Sequence, residues 1–530
     1  MAQPINAWDT LPWIPVIDES GTRKVTLRTA FAEAHLIKGL STPPLATPMT
    51  VGIMATLMRR ALSNSCTTPE RLGEAWETGY FDMEAIDAYA TPLRERFDLT
   101  GPTPFLQTPD LSPTTGTPKP ASALLLHTAR GNNVPLFSAV TEGDHVELSL
   151  PDALLGMIEL FGYDTAGIKT GAQGDPQVKA GKTTGNPTGV LGQLGATLPM
   201  GRSLFHTILL NVPLGADKPE DLPAWERDLT PTWETREVSG FNDQLTFPSR
   251  RVRMILNDAQ DAVIGAVVSS GDRLVRLSED YEPRCRWADA REAAGAKRPL
   301  RWRPGQAAWR GMESLLALDS SAGLNTSLLL HQISRYQETW LAETYPLSLF
   351  CIGASYGTQN AVIEDVIVDR LPLPIAALRA GDDLDIQDAL IAITTRADSV
   401  RRALNSLHTN LRESFGAEKI SWDVGEHPGD DTMPALDEPT HRLLRGLQTS
   451  PGSLDDGILA WEKSILAIAW KTASRLLDQA PPTAFLGRGE EKKHMNLAKA
   501  ETFFRAALRK ALPIVHSHQQ QPSTPPEGIV

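Results

Sequence analysis

Beyond about residue 381 the chain is written almost entirely in helical periodicity, and that fixes the architecture of its last third. Over residues 384–415, Ile386, Ile393, Val400, Leu404, Leu407 and Leu411 fall on one stripe. Similar patterns follow over residues 436–447, 454–477 and 490–512. An apolar stripe of this kind must be covered, and four such helices in succession cover one another as a bundle. Breakers stand where the connections belong, in GEHPGDDTMP, SPGS and APPTAFLGRG. The ending HSHQQQPSTPPEGIV is too polar and Pro-rich to pack.

The residues before this bundle mix signals. Apolar residues recur every three or four positions over residues 25–36 and 49–62, which predicts helices. Residues 102–120, PTPFLQTPDLSPTTGTPKP, are dense in Pro, Thr and Gly and predict a long surface loop. Loops of that length are uncommon without a task. Residues 162–201 carry so many Gly, Thr and Pro residues that they too are expected as loop, pinned by a buried helix over residues 202–213. The expected class is α+β: a large mixed α/β domain over residues 1–375, a four-helix bundle over 376–514 and a disordered tail over 515–530. At 530 residues, two or more domains are expected on length alone.

Composition narrows the function. A formal charge of −13 and a pI near 5.4 argue against a freestanding, non-specific nucleic-acid binder, which needs a basic surface to displace counterions. Residues 250–310 run against this trend, with thirteen Lys and Arg to eight Asp and Glu, and are expected to face phosphate. There Trp287, Trp302 and Trp309 alternate with arginines, an arrangement suited either to stacking on bases or to packing within the fold. The three cysteines, Cys66, Cys285 and Cys351, form no CxxC motif and fit a reducing cytoplasm. The eleven histidines form no HExxH, and His206 reads as a hydrogen-bonded core residue, so neither metal nor cofactor is expected. No signal peptide and no run of about 18 apolar residues is present, so no membrane role is expected.

Two short motifs suggest enzymes. Gly353–Gly357 satisfies G-x-S-x-G after the strand-like LSLFCI, which raises a serine esterase using Ser355, with Asp365 or Asp369 and His408, His427 or His441 in the required order. The nucleophile elbow requires a helix next, whereas VIEDVIVD favours a second strand. The segment therefore reads better as a β-hairpin whose tip carries Tyr356, Gly357, Thr358, Gln359, Asn360 and Ala361. The second motif, GDPQVKAGKT, ends like a P-loop at Gly181-Lys182-Thr183, but Pro176 stands where the first glycine belongs. What remains is a flexible glycine-rich loop bearing Lys169, Lys179 and Lys182, which is either a mobile linker or a loop whose main chain approaches a ligand closely.

Seven segments in order are similar to one family: WIPV at residues 13–16, LRTAFAEAHLIKGL, PFLQ at 104–107, GNNVPLF at 131–137, AGIKTGAQGDP, RSLFHTILLN and YGTQNA. Together they resemble CasA, the large subunit of the type I-E CRISPR surveillance complex Cascade. The resemblance implies an α/β N-terminal domain of unusual fold, a C-terminal four-helix bundle and no bond chemistry. It implies recognition of the protospacer-adjacent motif in double-stranded DNA from the minor groove, with partners in the other Cascade subunits, the guide RNA and a helicase-nuclease. Carried over by motif, the DNA-reading loop is Lys169, Thr170, Gly171, Ala172 and Gly174. The strand-separating wedge is Thr358, Gln359, Asn360 and Ala361, its amide being Asn360 by alignment or Gln359 by residue type. Asn132, Asn133, Leu136 and Phe137 match the loop that docks on the guide RNA or neighbouring subunits. No lysine aligns with the family's groove-contacting lysine; Arg273, Arg276, Arg284 and Arg286 occupy that region as candidate phosphate contacts. Cys285 stands alone where some members carry a cysteine cluster, so no zinc site is implied. The minor groove offers a degenerate pattern that amides and main chain can read, and a wedge there must offset a few kcal/mol of unstacking. The reading requires the glycine-rich tip and the carboxamide tip to be exposed and to converge.

Overall fold

The computed structural model describes residues 5–128, 141, 144–291, 295–319, 323–379, 385–417, 425–490 and 494–520. The chain divides into two compact units, one of residues 1–308, 317–342 and 347–371, the other of 309–316, 343–346 and 372–530.

The first unit opens with strands β1 (Ile14–Asp18) and β2 (Gly21–Val25), an antiparallel pair joined by a tight turn. Val25 closes that pair opposite Ile14, so the helix read from residue 25 begins later, as α1 (Leu27–Ala32). Thr26 caps it by accepting from the Thr29 amide. Helix α2 (Thr47–Ala61) is buried from Thr47 through Arg59, which fits a helix apolar on nearly every side.

The largest sheet is built around an antiparallel pair that follows helix α3 (Leu150–Tyr163) in the chain. Residues 162–201, expected as loop, instead complete α3 and then contribute three strands: β3 (Gly167–Thr170), β4 (Lys182–Asn186) and β5 (Ala196–Met200). The threonines among them favour extended backbone, while Gly174 and Gly181 supply positive φ between β3 and β4. Helix α4 (Leu204–Leu210) follows as read, capped by Ser203, with His206 hydrogen-bonded to that serine at 2.8 Å. The central pair is β6 (Arg250–Leu256) and β7 (Ala262–Ser270), and the sheet order is β6-β7-β3-β4, with β3 parallel to β7.

The Pro-rich segment is also more than a surface loop. Phe105, Leu106 and Leu111 are buried, and Lys119–Pro120 pairs with β7. Gln107 donates to the Leu99 carbonyl and accepts from the Met254 amide, tying this segment to β6. A separate sheet has the order β9-β8-β5, where β8 (Ser348–Tyr356) and β9 (Ile363–Pro372) form the hairpin read from sequence.

The second unit is helical: α5 (Asp385–Ser414), α6 (Asp437–Thr449), α7 (Leu454–Asp478) and α8 (Leu497–Ala511). Ile393, Val400, Leu404, Leu407 and Leu411 are buried as the stripe requires, with Leu390 buried where Ile386 is only partly covered. The last expected helix begins at Leu497 because Asn496 caps it. The tail also differs from expectation over its first residues. A further helix, α9 (Pro513–Gln520), buries Val515, whose amide donates to Glu462 at 2.8 Å, and Glu462 in turn pairs with Arg396 at 2.8 Å. Residues 521–530 lie outside the described residues.

Candidate nucleic-acid interface

The carboxamide tip is a six-residue connection closed at its base by Gly357 N–H donating to Val362 O at 2.9 Å. Gln359 and Asn360 both take left-handed backbone, with φ of 58° and 55°. Two such L-residues in succession cost about 1–2 kcal/mol each, which surrounding structure must hold in place. Thr358 and Gln359 are exposed; Asn360 and Ala361 are half-buried.

The glycine-rich hairpin joins β3 to β4 through residues 171–181, and its residues separate into two kinds. Gly171 and Ala172 are buried. The Gly171 amide donates to Gly181 O and its carbonyl accepts from Thr114 N, both at 2.9 Å. A Cβ on Gly171 would lie 2.5 Å from Val178 Cγ1, so the site admits only glycine, for packing inside the protein. The expectation that Gly171 and Ala172 face a ligand is therefore corrected. Lys169 is turned inward as well, its ammonium 2.7 Å from Asp164 with its side chain 11% exposed, and the Thr170 carbonyl accepts from Ser269. Gly174 is exposed, with φ +87 and open space around its Cα. Lys179 and Lys182 are the exposed lysines of this hairpin. The two breaker-rich stretches brace each other: Gln173 N donates to Ser112 O, and Thr114 N to Gly171 O.

The two hairpins adjoin. Ala166 N–H donates to Asn360 O at 2.9 Å, and the Tyr356 hydroxyl donates to Tyr163 O at 2.7 Å. Burial holds that hydroxyl well above its ordinary pKa, so it remains a donor. The carboxamide tip thus meets the foot of the glycine hairpin rather than its far end. The four residues of β3 span roughly 13 Å, about the rise of four base pairs. Asp164 and Arg250 sit at this junction, the Arg250 Nε 2.5 Å from the Asp164 carboxylate. Neither stands out in the sequence, because an arginine's role as a main-chain clamp follows only from which carbonyls the fold brings to it.

The arginines of residues 250–310 divide: Arg250, Arg251, Arg284 and Arg286 are buried, while Arg276, Arg291, Arg298, Arg301 and Arg303 are exposed. Arg284 is buried and bidentate to Glu282 at 2.7 Å, an ion pair that outweighs the lowering effect of burial and raises its pKa. Arg286 is buried over the Trp302 ring at 3.6 Å, and burial pulls it down to about 10. Neither reaches phosphate, and both assignments are corrected. Arg273 stacks on Trp233 at 3.7 Å and donates to Thr184 O and Asn186 Oδ1, each at 3.0 Å, so it braces β4. Arg276 is exposed, 3.7 Å from Glu237. Trp287, Trp302 and Trp309 are buried, which decides for internal packing over base stacking.

The enzyme motifs dissolve in the same way. Ser355 lies within β8, with no strand-to-helix elbow to expose it. Lys182 and Thr183 open strand β4, so no helix N-terminus follows Gly181 to hold phosphate. Asn132, Asn133, Leu136 and Phe137 lie outside the described residues. Among the described residues no helix is long and apolar enough to cross a membrane.

One chain thus carries a mixed α/β unit in which a carboxamide-tipped hairpin meets the foot of a glycine-rich hairpin, and a helical unit. The chain belongs to the CRISPR-associated protein Cse1 family, whose model matches residues 10–472. Its structure is similar to that of Cse1 from Acidimicrobium ferrooxidans, at 29% identity and TM-score 0.81, over 96% of this chain and 98% of that one. Cse1 from Thermobifida fusca matches at 25% identity and TM-score 0.85 with the same coverages, 96% and 98%. A chain of a CRISPR RNA-guided surveillance complex shares the fold at 19% identity and TM-score 0.73, over 96% of this chain and all of that one. No curated protein sequence matches the chain.

Proposed function

We propose that this chain is the non-catalytic large subunit of a cytoplasmic guide-RNA surveillance complex, that it recognises the protospacer-adjacent motif in double-stranded DNA, and that it starts strand separation. In this reading the glycine hairpin follows the minor groove through exposed main chain at Gly174, with Lys179 and Lys182 placed for backbone phosphates. The carboxamide tip, through Gln359 and Asn360, wedges beside the motif. The observation that carries the reading is the main-chain hydrogen bond from Ala166 to Asn360, which ties the carboxamide tip to the foot of the glycine hairpin. The tip is also tied internally, Gly357 N–H donating to Val362 O and Asn360 N–H to Gly357 O, which lowers the ordering cost added to the unstacking energy.

The division of labour follows: residues 1–375 read the motif, residues 376–514 lie along the displaced strand, and guide-RNA pairing reads the remaining sequence. Asn132, Asn133, Leu136 and Phe137 dock on the guide RNA or neighbouring subunits, an assignment resting on the family resemblance. Recruitment of a helicase-nuclease belongs to the same reading. The test is R-loop formation by the assembled complex on a motif-bearing plasmid. Replacing Gln359 and Asn360 together by alanine should slow it tenfold or more, as the loss of about 1.4 kcal/mol of opening energy would do. An unchanged rate would refute the wedge.

A further inference from the structure

Beneath the two tips lies a polar cluster that motif reading does not itself employ. Arg250 is fully buried and its guanidinium is shared among three segments of chain. Nε donates to Asp164 at 2.5 Å, at the end of α3. One terminal nitrogen donates to Thr165 O at 3.1 Å, just before β3, and to Pro187 O at 2.7 Å, just after β4. The other donates to Ser249 O at 2.7 Å. One planar group therefore clips the entry and the exit of the glycine hairpin together. From the other sheet, Tyr356 and Asn360 grip the same short stretch, at Tyr163 O and Ala166 N. Residues 163–166 are held from both sides.

We infer that Arg250, Asp164 and Tyr356 are positioning residues that lock the glycine hairpin and the carboxamide tip into one register, so that motif reading and strand opening are coupled. This rests on the function proposed above. The acceptors are mostly main-chain carbonyls, so the clamp fixes the path of the backbone and not merely the rotamer of a side chain. Arginine suits the task because its donors diverge from a rigid plane, whereas an ammonium has one centre and cannot serve entry, exit and carboxylate at once. Each tip alone would still be a hairpin without the clamp; what the clamp adds is their fixed separation.

The test uses the full chain assembled with its partner subunits and guide RNA. Opening rates are measured on a motif-bearing duplex and on the same duplex with the motif scrambled. Three proteins are compared with the parent: the paired Gln359→Ala and Asn360→Ala tip variant, Tyr356→Phe and Arg250→Lys. Tyr356→Phe keeps the ring and removes one hydrogen bond, and should slow opening on the motif-bearing duplex about fivefold while leaving the scrambled rate unchanged. Arg250→Lys should lose about tenfold or more of the motif-to-scrambled ratio. A merely structural contribution would reduce the amount of assembled complex and leave that ratio intact. If the tip variant is slow while Tyr356→Phe keeps the parent ratio, coupling is overturned and the wedge stands. If the tip variant opens DNA at the parent rate, the proposed function fails and takes the coupling with it. Should Arg250→Lys not fold, Tyr356→Phe decides alone.

Discussion

Glu159 shows how a single side chain can carry a pH signature in this protein. It lies on α3, only 9% exposed, and burial pushes its carboxyl up to about 7 from an ordinary 4.5. The folded chain therefore holds this proton more tightly than the unfolded chain does. Its contribution is fully present below about pH 4.5 and is lost as the pH rises to about 7, above which the loss is constant. Glu159→Gln stays neutral throughout, so between pH 4.5 and 8 the variant should gain about 3 kcal/mol relative to the parent in denaturant melts. A difference that does not vary with pH would show the carboxyl to be solvated. At this same scale the sequence was readable where residue type dictates conformation and opaque where a partner does. Two strand-like runs around a glycine-led turn marked the hairpin tip at residues 356–361, while the choice of Gln359 and Asn360 within it rests on the family resemblance. Nothing local marked Lys169, whose partner Asp164 turns it inward, or Arg284, whose partner Glu282 is two residues away but buried with it.

Among elements, the helices of the second unit were legible because their periodicity is sustained over more than three turns. The stripe on α5 is buried as written, and Leu404 lies wholly within the unit's core. Leu404→Ala should destabilise the full chain by about 2–5 kcal/mol, read as a lower denaturant midpoint for the helical signal. A midpoint unchanged within error would mean that this face is not covered. Residues 162–201 were misread for the converse reason: glycine and proline counts were weighed over forty residues, whereas the pairing of β3 with β4 needs only four or five extended residues on each side. Only Gly171, Gly174 and Gly181 lie in the connection between the strands, where Gly174 and Gly181 take positive φ. Residues 102–120 were misread alike, since a Pro-rich segment without regular structure can still bury Phe105 and Leu111. The two segments support each other, which periodicity within either one cannot reveal.

For the molecule as a whole, the charge balance bears on how it meets DNA. Part of the cation content of residues 250–310 is taken up by internal pairs such as Arg251–Asp272 and Arg284–Glu282, while Arg291, Arg298, Arg301 and Arg303 stay exposed on a chain of net charge −13. So acidic a chain gains little from counterion release and fits a subunit that reads a short motif from within an assembly. The central claim is that both tips engage one stretch of minor groove. Photo-crosslinking side chains placed singly at Gly174 and at Gln359, in the complex bound to motif-bearing DNA, test it most directly. The account predicts crosslinks from both positions within about one helical turn, roughly ten base pairs, and at the motif. Crosslinks from the two positions on separate parts of the duplex, or from only one of them, would contradict it.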